Sequence, residues 1–158
     1  LEGEKIVQKS ELKFLIIRTD QPYGWPEQSQ HANSVVRVIE HLKNNTIFRE
    51  IIDWYNTPTY IPDLTSAIMH LIKNNLVGIF HITGSDFLNR YDSAVLIAEV
   101  FKLENKLLKQ INSSELKLPA KRSNVNLSNK KLFQETGIRM LGFKDGLTKM
   151  LEDKKIWK

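Results

Sequence analysis

The chain of 158 residues has no cysteine and only seven glycines and five prolines. Without cysteine there is no disulfide framework, no thiol nucleophile and no zinc–thiolate site. Its four histidines, His31, His41, His70 and His81, show no metal-ligand spacing, so metal catalysis is not expected. No apolar run approaches the roughly 18 residues of a membrane span, and Leu1-Glu2-Gly3-Glu4-Lys5 lacks the apolar core of a signal peptide. A soluble, cytoplasmic protein without a membrane partner is expected. With 41% hydrophobic, 9% aromatic and 26% charged residues, the composition is that of a globular domain and not of a disordered, collagen-like or coiled-coil chain.

The 23 Lys and Arg against 18 Asp and Glu leave a net charge of +5. The excess is local, for Phe101 to Lys131 holds eight basic residues (Lys102, Lys106, Lys109, Lys117, Lys121, Arg122, Lys130, Lys131) and two acids. Such a stretch suits an anion, whether a phosphorylated small molecule, nucleic acid or a membrane surface. A solvated, lysine-rich face explains it equally. No aromatic-interleaved basic motif supports nucleic acid, so none is expected as a partner.

Leu1 to about Lys9 reads as a helix with no N-cap before it, as expected of a piece of a longer protein. Phe14-Leu15-Ile16-Ile17 reads as a parallel strand buried on both faces that runs into a loop at Arg18-Thr19-Asp20, with turn-formers at Pro22 and Gly24. Once any preceding strands are removed, its apolar edge should make the isolated chain poorly stable or prone to associate. Val35, Val38, Ile39 and Leu42 stand at i, i+3, i+4 and i+7, giving a helix capped by Asn33. Phe48 to Trp54 is a strand, and Thr57-Pro58-Thr59 breaks the chain.

Asp63 is placed to cap a helix with the stripe Leu64, Ala67, Ile68, Leu71 and Ile72. Gly78 to Gly84 forms a strand in which His81 reads as a hydrogen-bonded structural histidine. Asn89 caps a helix with Tyr91, Ala94, Val95, Ala98 and Phe101 on one face. Ile111 to Val125 reads mostly as loop, Ser128 opens a short helix ending at Gly137, and a last helix spans about Lys144 to Asp153. Alternation of strands and helices predicts an α/β class with parallel pairing. Three short strands are too few for a complete sheet, so its remainder is expected elsewhere.

Four stretches in order resemble the C-terminal half of the extended short-chain dehydrogenase/reductases, most closely the dTDP-4-dehydrorhamnose reductase branch. Leu1-Glu2-Gly3-Glu4 is similar to the residues after the catalytic Tyr-x-x-x-Lys, and Ile17-Arg18-Thr19-Asp20-Gln21-Pro22-Tyr23-Gly24 to the strand and Tyr-Gly loop beside the nicotinamide. Asp53, Thr57-Pro58-Thr59 and Asp63-Leu64 resemble Asp-Gln-x-x-x-Pro-Thr followed by Asp-Leu-Ala. Gly78-Ile79-Phe80-His81, Pro119-Ala120-Lys121-Arg122 and Leu127-Ser128-x-x-Lys131-Leu132 resemble Gly-x-x-His and Pro-x-x-Arg-Pro-x-x-x-x-Leu-Asp-x-x-Lys-Leu. Gln21 stands where several reductases carry an aromatic residue, Trp54 replaces Gln, and Ser123 replaces Pro.

The resemblance implies the C-terminal part of a Rossmann-like NAD(P)-binding fold (residues 1–30) and a small α/β substrate-binding region with returning core elements (residues 31–158). It implies reduction of a 4-keto nucleotide sugar with NADP or NAD, hydride passing from nicotinamide to the keto carbon and a proton from the Tyr. That Tyr-x-x-x-Lys is not in this chain, and neither is a Gly-x-x-Gly-x-x-Gly turn of the kind that seats a dinucleotide pyrophosphate. Both would belong to an N-terminal half of the same protein, and the chain alone should be catalytically inert.

Thr19, Asp20, Gln21 and Pro22 would line the nicotinamide end, mostly by backbone, or form a plain strand-exit turn. Asn33, Trp54 and Arg122 are the implied substrate contacts. Arg122 would hold the diphosphate with its guanidinium fork; an exposed loop arginine is the alternative. Asn33 caps its helix with or without a diphosphate there, and Trp54 stacks on a base or sugar or packs its loop on the core. A homodimer, a nucleotide-sugar epimerase or dehydratase, and a non-catalytic regulatory subunit similar to that of methionine adenosyltransferase remain open.

Overall fold

The computed structural model describes residues 2–27, 31–116 and 123–153. Among them, helices and short strands alternate in an α/β arrangement, and the strands pair two by two. β1 (Leu15–Arg18) runs parallel to β6 (Gly78–His81), with Leu15 opposite Gly78 and Arg18 opposite His81. β3 (Phe48–Ile51) runs parallel to β8 (Leu108–Ile111), with Phe48 opposite Leu108. Two pairs of two-residue strands stitch the loops between them: β2 (Pro22–Tyr23) parallel to β5 (Thr59–Tyr60), and β4 (Tyr55–Asn56) antiparallel to β7 (Leu88–Asn89).

Local chemistry sets the helix ends. In α2 (Ser34–Lys43) the Asn33 Oδ1 accepts from the amides of Val35 and Val36 at 3.1 and 3.2 Å, and Val35, Val38, Ile39 and Leu42 are buried. Three β-branched side chains in that stripe weaken intrinsic helix propensity. Burial outweighs this, at about 1.5–3 kcal/mol for each side chain removed from water. In α4 (Arg90–Val100) the Asn89 Oδ1 accepts from Asp92 N at 2.7 Å. α5 (Lys130–Thr136) ends at Gly137, whose left-handed φ of 73° turns the chain out.

Four readings of the sequence are corrected. α3 (Ile61–Lys73) starts before Asp63, because Pro62 fits a first helical turn where its amide needs no partner. The Asp63 carboxylate instead accepts from Leu141 N at 2.9 Å, and Ile72 points outward at 54% exposure. α5 starts two residues after Ser128. β8 is a strand that the sequence reading left unassigned, with only Ile111 inside the stretch read as loop, since Leu-Lys-Gln-Ile lacks the β-branched enrichment that marks a strand. The β1 residues are each half-buried and not enclosed on both faces.

The apolar residues gather into two cores. The larger joins α2, α4 and α6 (Phe143–Asp153) through Val38, Ile97, Leu147 and Met150, with Tyr23 and Phe143 edge to face at 5.2 Å. The smaller packs Ala67 and Leu71 of α3 and Leu132 of α5 on Phe80 and Ile82. α1 (Glu2–Gln8) buries no residue and is tied to β1 by Glu4, whose carboxylate accepts from Arg18 Nε and Nη2 at 2.9 and 2.6 Å. The hydrogen bond from Arg18 holds the Glu4 carboxyl below its usual range. Arg18 Nη1 also lies 3.5 Å from His81 Nε2, so His81 is hydrogen-bonded within the sheet, as its place among apolar neighbours predicts.

Candidate functional site

Of the residues singled out in the sequence, Thr19, Asp20, Gln21 and Pro22 follow the C-terminal end of β1, and Asn33 is bonded to Gly24 just beyond them. Asp20 leaves that strand and turns its carboxylate inward, accepting from Thr57 N at 2.8 Å, Thr57 Oγ1 at 3.4 Å and Asn56 Nδ2 at 3.2 Å. Thr59 Oγ1 donates to the Asp20 carbonyl at 2.7 Å and accepts from Gly84 N at 3.2 Å. The Asp20 side chain thus organises the Thr57-Pro58-Thr59 turn. Gln21 has a left-handed φ of 43°, rare for a residue with a side chain. Its carbonyl accepts from Thr59 N at 3.2 Å, and Pro22 is exposed.

Asn33 is fully committed: while its Oδ1 caps α2, its Nδ2 donates to the Gly24 carbonyl at 2.7 Å. An anion at this helix end would therefore meet the helix dipole and backbone and not the Asn33 amide. Trp54 is half-buried, its ring covered by the Arg90 guanidinium at 5.2 Å from the centroid, a cation–π contact on one face. Arg90 N donates to the Trp54 carbonyl at 3.2 Å.

Arg90 and Glu50 form a bidentate ion pair, Nε to Oε2 at 2.8 Å and Nη2 to Oε1 at 2.6 Å, in which the glutamate is 4% exposed. The sequence reading passed over both. The signal was there, because a glutamate within Phe48-Arg49-Glu50-Ile51-Ile52 cannot be buried without an opposite charge. Beneath Gln21 lies a cavity of about 20 Å³ with a wall from Val38 and Ile97 and polar groups from Asn56, Glu50, Arg90 and Ser93. Asn56 was also missed, and no local pattern marks it.

Described residues of the basic stretch on either side of 117–122 are bonded to the chain neighbours of Trp54. At one end the Asp53 carboxylate accepts from Ser113 N at 2.8 Å and Ser113 Oγ at 2.7 Å. At the other, Tyr55 N donates to Asn124 Oδ1 at 3.0 Å and Val125 N to the Tyr55 carbonyl at 3.2 Å. Arg122 itself lies outside the described residues. The Ser113 hydroxyl and then its amide hold the Asp53 carboxyl below its usual 3.8. Ser113→Ala is expected to raise the Asp53 titration midpoint toward that value, read by carboxyl carbon NMR. An unmoved midpoint would mean that the anchor does not form in solution.

A larger cavity of about 420 Å³ lies between α3 and α6, lined by Tyr60, Asp63, Ser66, Lys149, Glu152 and Asp153. Burial and its hydrogen bond to Asp153 push the Tyr60 phenol above its ordinary value. Among the described residues no group of three or more His, Asp or Glu could hold a metal ion, and no helix is long and apolar enough to cross a membrane.

Known proteins share both fold and sequence with this chain. It is 22% identical to the dTDP-4-dehydrorhamnose reductase of Bacillus anthracis in complex with NADP, over 96% of this chain and 52% of that one, with a TM-score of 0.87. It is 26% identical to a Clostridium acetobutylicum dTDP-4-dehydrorhamnose reductase, over 98% of this chain and 53% of that one, with a TM-score of 0.85. Methionine adenosyltransferase 2 subunit beta of Rattus norvegicus is 26% identical over 98% of this chain and 49% of its own length. The chain spans about half the length of the curated relatives that it matches over nearly all of its own. The family model described as the RmlD substrate binding domain matches residues 1–156, and the chain belongs to that family.

Proposed function

We propose that the chain is the substrate-binding half of an NAD(P)-dependent reductase of 4-keto nucleotide sugars, similar to dTDP-4-dehydrorhamnose reductase. The observation that carries this reading is the return of the basic segment to Tyr55. Asn124, two residues after Arg122 in the sequence, accepts from the Tyr55 amide next to Trp54, and on this reading Arg122 is the residue that meets the substrate. An arginine fork matches a diphosphate bidentately.

Residues 1–30 would close a dinucleotide domain and residues 31–158 form the substrate region. The 19–22 loop, at the carboxyl end of parallel β1, fits the crevice where such folds bind nucleotides. The dinucleotide supplies hydride when bound. Here Thr19, Gln21 and Pro22 present backbone and an exposed ring to it, while Asp20 keeps the loop rigid. The Tyr and Lys that move the proton would lie in the remaining half, with which this chain would assemble.

In the reductase, Arg122→Ala is expected to raise the dissociation constant of dTDP-rhamnose about tenfold to a hundredfold, the worth of one charged hydrogen bond. NADPH affinity should stay unchanged in the same calorimetric titrations. Equal losses for both ligands would displace Arg122 from the substrate, and no loss for either would return it to the solvated surface. The likeness to methionine adenosyltransferase subunit beta supports a second reading, a regulatory subunit. That reading predicts binding to a methionine adenosyltransferase and none to dTDP-rhamnose.

A further inference from the structure

We propose that the cavity beneath Gln21 receives a hydroxyl group of the bound sugar, with Asn56 Oδ1 as its acceptor and the Arg90 guanidinium as its donor. This rests on the nucleotide-sugar reading above. Asn56 is 4% exposed, and its Oδ1 is sealed from solvent with no hydrogen-bond partner among the described residues. The amide cannot be turned round to relieve this. Its Nδ2 faces both Asp20 oxygens at 3.2 and 3.4 Å, and a flipped amide would set a carbonyl against a carboxylate. The orphaned acceptor is therefore the amide oxygen and not the nitrogen, and Asn56 is one of the residues that line the cavity.

Arg90 completes the pair. Its Nε and Nη2 serve Glu50, while a guanidinium has five N–H donors, and no described residue takes those of Nη1. One acceptor and one donor in a single cavity select a group that both donates and accepts. A hydroxyl does so; a keto or ether oxygen only accepts, and an ammonium only donates and meets Arg90. A water-sized group needs about 10–15 Å³, so about 20 Å³ admits one oxygen and no ring. Gln21, in its left-handed conformation at the rim, is a backbone held against its preference, as residues at ligand clamps often are.

The test is carbon-detected NMR of the Asn56 side-chain carbonyl during titration of the reductase that contains this chain with dTDP and separately with dTDP-rhamnose. Both should bind, and only dTDP-rhamnose should move the Asn56 carbonyl resonance. If dTDP-rhamnose binds and leaves that resonance where dTDP leaves it, water fills the cavity and the inference falls while the reading beneath it stands. If neither ligand binds, the reading falls and takes the inference with it. Asn56→Leu should weaken dTDP-rhamnose about fivefold and dTDP not at all, and equal losses would also overturn the assignment. The wild-type titration decides the matter even if this variant unfolds.

Discussion

Arg90→Ala is expected to lower the unfolding free energy by about 3–5 kcal/mol, because it strands a carboxylate that the fold has removed from water. Glu50 sits at 5% side-chain exposure and Arg90 at 18%. The pair is therefore screened far less than the exposed Lys5–Glu2 and Lys106–Glu104 contacts, each worth at most about 1 kcal/mol. Urea denaturation with a shared slope would measure the loss, and a value below about 1 kcal/mol would show that water reaches Glu50 in solution. Removing both charges together, as Glu50→Leu with Arg90→Met, should restore most of the stability, since apolar replacement of a buried pair is often neutral. It should not restore the surroundings of Trp54, which loses the cation over its ring. Indole fluorescence separates these two effects.

Gly84→Ala is the second large loss expected. A Cβ at this position would fall well inside the van der Waals shell of the Pro58 carbonyl oxygen and stand 3.1 Å from the Pro58 carbonyl carbon. Both obstacles are backbone, in a turn that Asp20 and Thr59 already fix, so neither can swing aside as a flexible side chain would. Overpacking of this kind costs about 1–3 kcal/mol and more where backbone must move. A fall in Tm of about 6–10 °C is expected for a chain of this size. The displaced turn also holds Asn56 and Thr57 to Asp20, so amide resonances of residues 19–22 and 56–59 should shift together. A normal melt would mean that the glycine is free to substitute and that the close approach is not maintained.

These two positions differ in how far the sequence announces them. The ends of α2, α4 and α5 at Asn33, Asn89 and Gly137 were legible because their causes are local, two asparagines that cap from within three residues and a glycine that turns left-handed at little cost, whereas the starts of α3 and α5 were not. The α/β class followed from alternating periodicities. The four two-residue strands could not be seen, because each is defined by a partner more than 30 residues away and not by its own side chains. Asp20 was placed correctly in the loop, but the work of its carboxylate was not legible, since its three donors come from residues 56 and 57. Glu50 could have been found as a charge without a local reason, whereas Asn56 could not, being one of many asparagines until the tertiary structure buries it.

The order of strand pairing bears on how the chain reaches this state. β1 pairs with β6 and β3 with β8, so the span from residue 15 to 81 and the span from residue 48 to 111 overlap without one enclosing the other. Each parallel pair closes a loop of about 60 residues, and any cut between Ile51 and Gly78 severs both. Neither fragment left by such a cut would retain a complete pair of longer strands. Long loops must close before either ladder offers compensation, which places the chain among slow, high-contact-order folders. During synthesis the β1 edge waits, unpaired, until residue 78 has emerged, and β3 waits until residue 108. This interval is when a nascent chain of this kind is most exposed to aggregation and has most use for a holding chaperone.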